Sequence, residues 1–423
     1  MIDGSKSAAQ ARRRDPIPKR ASGKGSRLTI GAGLATEPRT LVLRAGQWQW
    51  LDAQEPLLGE DGPAWAVYAP EPGLRVSAAA IAEMLVARFQ DMRSFDQQCA
   101  AMTHAGLQIS RGLLAKWASE AAALLSPIAS AIAQAGLRAP VLSAANVSMG
   151  LSGEQGRRLW LFMASGQSAR DDPSTHPLMW LKVTPDRAGG FVTKELGAFG
   201  GVLQAPPFSG YDRIARRSGV TLADCWREVE GDARMVQMTM PHPFLDDLLH
   251  LFPRLREIEA RAAGEPAALR QSVRQLEAMP LLLHVEHRLA DIVLRANPRL
   301  PLGAFVNDLQ ARWPALTAFL RDGRIDYENA ALQKIRTLGA HSRRWVFGRH
   351  EESRRAAAIL YSIIGTCELN DVDPRRYIRL ALSRLVKRGE TPVLEALMPW
   401  TLGPLSTGGA DARRREAGPR LGV

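Results

Sequence analysis

The sequence predicts a mixed α/β chain in which an all-helical block interrupts a strand-rich core. Three observations carry this expectation. Residues 139–184 contain three runs dense in Val, Leu, Phe and Trp: APVLSAANVSM at 139–149, RLWLFMASG at 158–166 and PLMWLKVT at 177–184. Such side chains suit the pleated surface of a strand. Residues 244–296 then keep apolar side chains at helical spacing, with a break near Gly264–Pro266. A last helical block covers 326–387 and is interrupted near Trp345–Gly348.

Along the chain, residues 1–36 carry Arg12, Arg13, Arg14, Lys19, Arg20, Lys24 and Arg27 among Ser, Gly, Ala and Pro. This is expected to be a flexible basic arm, too poor in large apolar side chains to fold alone. Its GKGS at 23–26 lacks the glycine spacing and strand context of a phosphate-binding loop. TLVLRAGQWQW at 40–50 alternates apolar and polar residues and predicts one short strand, with turns to about 75. Residues 77–92 have helical spacing. The stretch 94–125 predicts helix, turn, helix, with Gly106 at the turn and Ser110 capping the second helix through a free backbone N–H. In that helix Leu113, Leu114 and Trp117 should face the core and leave Arg111 and Lys116 outward. KELGAFGGVLQAPPFSGYD at 194–212 predicts a short helix, a strand ending at Gln204 and a Pro-Pro turn. From about residue 405 a second loose basic tail follows.

With 423 residues and 46% apolar side chains, the chain can bury a sizeable core in two or three folding units. Apolar runs are short; AAIAEMLVA at 79–87 is interrupted by Glu83, far below the roughly 18–20 residues of a membrane span. No secretory leader opens the chain, so a soluble, cytoplasmic protein is expected. Cys99, Cys225 and Cys367 form no CxxC and are expected to be buried thiols. No GxSxG, HExxH, strand-following GxGxxG or kinase set is present, which removes the enzyme classes that those motifs mark. His284 and His287 could share a helix face, but no third metal ligand is evident nearby.

The net charge of +12 and pI near 10.1 favour a polyanionic partner, nucleic acid above all. The C-terminal third concentrates it: residues 334–388 hold 13 Lys/Arg against five Asp/Glu. HSRRWVFGRHEESRR places arginine pairs around Trp345 and Phe347, a pattern in which guanidinium groups can meet phosphates bidentately. Candidate DNA contacts are therefore Arg336, Arg343, Arg344, Arg349, Arg354 and Arg355, with Arg111 and Lys116 from the helix–turn–helix.

From about residue 80 to 400, the order of segments resembles the IS-sixty-six group of bacterial insertion-sequence transposases. The most specific part is NAALQKIRTLGAHSRRWVFGRHEESRRAAAILYSIIGTCELNDVDPRRYIRLAL at 329–382, and ALMPW at 396–400 matches the family's ending. LQAPPFSGYD at 203–212, IEARAAGEPAALRQSVRQ at 258–275, ARWPALTAFLRDGRID at 311–326 and the 94–125 helices also match in place. The resemblance implies an RNase H-like core with a helical insertion. It further implies three carboxylates that hold two Mg²⁺ ions for DNA strand transfer.

Carried over position by position, the three acids are missing. The first falls on Ala145 in SAANV, the second on Pro206 in LQAPPFSGY and the third on Leu332 in YENAALQ. None can ligate Mg²⁺ through its side chain, so no cofactor is expected here although active relatives need Mg²⁺. The family's cysteine zinc module is also absent from 40–75. A displaced acidic site built from Glu328, Asp212, Asp171 and Asp172 is the alternative, with Glu328 and Leu332 expected on one helix face. The expectation is thus a degenerate transposase-family protein that contacts DNA without cutting it. Its partners are DNA and, among proteins, a second copy or an active transposase; a repurposed regulator or a relic without a role are the other outcomes. The implied organisation is a basic arm at 1–36, an N-terminal region at 37–135, the first part of the core at 136–235, a helical insertion at 236–325, core-closing helices at 326–400 and a tail at 401–423.

Overall fold

A computed structural model describes residues 39–52, 64–65, 74–149, 157–164, 175–187, 189–342, 350–385 and 393–402. The basic arm, most of the C-terminal tail, and Arg343, Arg344 and Arg349 lie outside them. The chain is mixed α/β with two mixed sheets. The first sheet has the order β2-β1-β4-β3, built from β1 (Arg39–Arg44), β2 (Gln47–Asp52), β3 (Ala64–Trp65) and β4 (Leu74–Ser77). The one strand expected over 40–50 is therefore a hairpin. Ala45 and Gly46 take φ of 49° and 75°, and two consecutive positive φ values turn the chain back on itself.

Three helices follow: α1 (Ala78–Phe89), α2 (Phe95–His104) and α3 (Arg111–Gly136). Gly106 makes the turn at φ 81°, and Ser110 caps α3 by accepting from the Leu113 N–H, as its position suggests. Leu114 and Trp117 are buried, Leu113 is half-buried, Arg111 is exposed and Lys116 is half-exposed. The helix continues through Pro127, past the expected end at 125, because Leu125, Ile128 and Ile132 keep its apolar face fully buried.

The second sheet has the order β7-β6-β5-β8-β9. Its first three strands are antiparallel: β5 (Val141–Ser148), β6 (Arg158–Ala164) and β7 (Leu178–Thr184). Then β8 (Val202–Gln204) runs parallel to β5, and β9 (Thr221–Ala223) parallel to β8. Helices α4 (Gly189–Glu195) and α5 (Ser209–Ser218) pack against β6, where Trp160 meets the rings of Phe191 at 5.5 Å and Phe208 at 5.7 Å.

A helical block then builds a second apolar core. It comprises α6 (Trp226–Thr239), α7 (Pro243–Arg261), α8 (Ala267–Val273), a π-turn (Arg274–Ala278), α9 (Met279–Val293) and α10 (Pro301–Leu316). The break between α7 and α8 falls at Gly264, at φ 85°, where the sequence places it. The chain returns to the second sheet with α11 (Ala330–Ser342) and α12 (Glu351–Leu369), and α13 (Pro374–Leu385) packs on α1.

The edge of the second sheet explains the polar residues of α12. Strand β7 is an edge, so its outward N–H and C=O groups need partners. Ser362 Oγ accepts from Leu181 N–H at 2.9 Å, and Thr366 Oγ1 accepts from Met179 N–H at 3.1 Å. Asn370 Nδ2 donates to Pro177 O at 2.7 Å. These three residues are four apart, so one face of α12 acts as a substitute strand. Gly365 permits the approach, since a Cβ there would lie 2.4 Å from Met179 Cε. Replacing Thr366 by Val should strand the Met179 N–H and cost about 2 kcal/mol of stability. Urea unfolding measures it, and a variant as stable as the parent would show that water replaces the hydroxyl.

Candidate functional site

The three positions matched to carboxylates lie on neighbouring elements: Ala145 on β5, Pro206 just after β8 and Leu332 on α11. Ala145 has 0 % of its surface exposed and faces Leu161 across the β5–β6 ladder, while Leu332 is 6 % exposed. Pro206 is half-buried. Neither Leu332 nor its neighbour Gln333 is acidic.

Asn329 joins these elements. It is 2 % exposed, and its Nδ2 donates to Ala144 O at 3.2 Å and to Gln204 O at 2.9 Å. Its Oδ1 accepts from Leu332 N–H at 2.8 Å, which makes it the cap of α11. Gln204 is fully buried; its Nε2 donates to Asp326 O at 2.5 Å and its Oε1 accepts from Ser143 Oγ at 3.4 Å. Two neutral amides thus hold β5, β8 and α11 together. An Asn before a helical run makes the capping role of Asn329 legible in the chain; its grip on two strands has no local signal.

Glu328 does not share a helix face with Leu332, because the Asn329 cap starts α11 after it. Its carboxylate pairs with Arg227 at 3.2 Å and accepts from Gln333. Asp212 is exposed in the first turn of α5, while Asp171 and Asp172 lie outside the described residues. Among the described residues no group of three or more His, Cys, Asp or Glu side chains is arranged to hold a metal ion. Ala145, Pro206 and Leu332, with Asn329 and Gln204 beside them, do not fit a divalent pair. His287 instead lies 2.8 Å from Leu283 O through Nδ1 on an exposed face of α9.

Beside Glu328 a cleft of about 780 Å³ is lined by Arg227, Arg234, Arg256 and Arg336 together with Glu228, Glu230, Asp232 and Glu328. Burial pushes the Glu228 carboxyl above its usual range, against the pull of Arg312. The cleft mixes both signs of charge, so it is no anion cradle.

The expected DNA contacts divide. Arg336 and Arg355 are exposed on α11 and α12, and Arg111 is exposed with Asp96 3.9 Å away. Arg354 is corrected: it is 2 % exposed and lies 3.7 Å from Glu351, because it falls on the face of α12 turned into the core. A buried guanidinium cannot meet a phosphate. No helix among the described residues is long and apolar enough to cross a membrane.

The model of the Transposase IS66 family matches residues 73–356. Similar curated proteins come from Sinorhizobium fredii (strain NBRC 101917 / NGR234). Uncharacterized protein y4hP is 24% identical over 342 residues, covering 76% of this chain and 61% of its own length. Uncharacterized protein y4jD is 23% identical over 340 residues, covering 78% and 66%. Uncharacterized protein y4qI is 23% identical over 339 residues, covering 78% and 63%. The chain thus spans under two thirds of the length of these relatives.

Proposed function

The chain belongs to the IS66 family of transposases, and from that premise we propose that it is a DNA-binding member that does not cut DNA. What supports this is a neutral site: Ala145, Pro206 and Leu332, which the resemblance matches to the family's acids, carry no carboxylate, and Asn329 joins β5 and β8 through hydrogen bonds. An enzyme of two-metal type needs carboxylates there to hold its ions and to stabilise both the attacking and the leaving oxygen. Without them, the remaining function is recognition.

We read the second sheet as an RNase H-like core at 136–235, closed by α11–α13 at 326–400. Its antiparallel strands, followed by parallel strands reached through helices, support this. We read 236–325 as the helical insertion, supported by the second apolar cluster, which α6–α10 build against Val141, Val202 and Ala223 of the sheet. Residues 94–125 are read as a helix–turn–helix that presents Arg111 and Lys116. DNA phosphates then meet Arg336 and Arg355, with Arg343, Arg344 and Arg349 in the intervening segment. Such contacts position DNA without reading its sequence. A nucleoid-associated location in the bacterial cytoplasm follows from this reading.

Salt-dependent binding of the full chain to a fluorescent duplex tests it. Replacing Arg343 and Arg344 by Ala should weaken binding to all sequences alike and flatten the slope of log affinity against log salt by up to about two. No binding by the parent chain at low salt would overturn the proposal. An unchanged slope would remove this segment from the interface.

A further inference from the structure

A second basic surface lies on α4 and α5. Between residues 187 and 218 stand Arg187, Lys194, Arg213, Arg216 and Arg217 against Glu195 and Asp212. Glu195 is already engaged: it accepts from Trp180 Nε1 at 2.8 Å and pairs with Lys182 at 3.5 Å. Arg187, Lys194, Arg213 and Arg216 are exposed, and none makes an ion pair among the described residues. On α6–α10 the pattern is opposite, since Arg234, Arg256, Arg261, Arg274, Arg288 and Arg312 each meet a carboxylate.

The cations are held in place by the fold. The Arg187 guanidinium lies 4.7 Å from the centre of the Phe208 ring, a cation–π contact that helps to hold it on this exposed face. Phe208 is itself anchored against Trp160 at 5.7 Å and Tyr211 at 5.3 Å. Arg213 lies over Gly189, where a Cβ would stand 1.7 Å from its Nη2 and 3.2 Å from Gly210 Cα. The two glycines thus let α4 and α5 meet with Arg213 laid across the junction. Arg213 and Arg216 are three apart and share the outer face of α5, while Tyr211 and Ile214 are buried beneath.

Unpaired, pre-oriented guanidinium groups on one exposed face fit a phosphodiester backbone, whose oxygens accept bidentate charge-assisted hydrogen bonds. We propose that Arg187, Arg213 and Arg216, with Lys194, form a duplex-DNA phosphate-contact surface separate from the arginines of α11 and α12. The surface begins beside Pro206, since α5 starts three residues beyond it. It therefore holds DNA next to the position that has lost its second carboxylate. The inference rests on the DNA-binding reading above.

The test uses the full chain, a fluorescein-labelled duplex of about three helical turns and a salt titration. Arg213→Gln with Arg216→Gln should leave the thermal midpoint unchanged and reduce the salt slope by about two. Gly189→Ala keeps every charge but displaces Arg213, and should reduce the slope by about one. A parent chain that binds DNA and keeps its slope in both variants overturns this surface alone. A parent chain that binds no duplex overturns both proposals. Selective loss of single-stranded RNA binding in the same variants, with duplex binding intact, would assign the surface to another nucleic acid and overturn it as stated.

Discussion

Replacing Ala145 by Asp is expected to destabilise the folded chain by about 3–5 kcal/mol, the range for an uncompensated buried charge. The position has no exposed surface, faces Leu161 and sits beside the Ala144 carbonyl that Asn329 already occupies. A carboxylate there finds no cation. It must either desolvate as an anion or take up a proton, so its pKa should rise. With a folded-state pKa above the unfolded value, the penalty of the charge is absent at pH below the unfolded pKa. It grows as pH rises toward the folded pKa. The variant should therefore unfold more easily at neutral than at acidic pH, relative to the parent. An Ala145→Asp variant as stable as the parent, or stabilised by millimolar Mn²⁺, would mean that the site is open and ready for metal.

The other large effect lies in the helical block. Replacing Arg274 by Met should cost about 2–4 kcal/mol, because the half-buried Glu259 loses two charge-assisted hydrogen bonds and keeps only its longer contact to Arg270. Arg274 has no exposed surface; it donates to Glu259 through Nε at 2.7 Å and Nη2 at 2.6 Å, and to Phe319 O through Nη1 at 3.0 Å. Arg270 extends the network, 3.9 Å from Glu259 and 3.5 Å from Asp326, whose backbone carbonyl receives Gln204. Burial lowers the Arg270 pKa, against the pull of the two carboxylates. The network thus ties α7 and α8 to β8 beside the substituted site. Removing both charges, as Arg274→Met with Glu259→Leu, should recover most of the loss, since a buried pair is worth little against apolar packing. A single variant that unfolds at the parent's denaturant midpoint would show that water reaches Glu259.

Local signals make much of this fold legible. Ser110, Gly106 and Gly264 punctuate helices through backbone chemistry that acts over a few residues, so their effects are visible in the chain. Strands β5, β6 and β7 are visible because most of their residues are buried and apolar. The β1–β2 hairpin is hidden because its turn is Ala-Gly, without the Asn-Gly or Asp-Gly signal of such turns. Helix α3 outruns its expected end because tertiary burial outweighs the local cost of Pro127. The fate of Arg354 and Arg355 depends on which face of α12 meets the core, and one residue of phase separates a buried guanidinium from an exposed one. The roles of Asn329, Ser362 and Thr366 rest on partners 125 to 187 residues away, which no local pattern contains.

We propose that substitution of the three acids leaves a chain that binds DNA and does not cut it. Incubating supercoiled plasmid with the purified full chain in Mn²⁺, beside Glu328→Ala, tests it most directly. Intact supercoiled plasmid is expected in both reactions, with a folded protein that still shifts DNA. Metal-dependent nicking by the parent that disappears in the Glu328→Ala variant would contradict it, because an acidic site would then have been rebuilt around that residue.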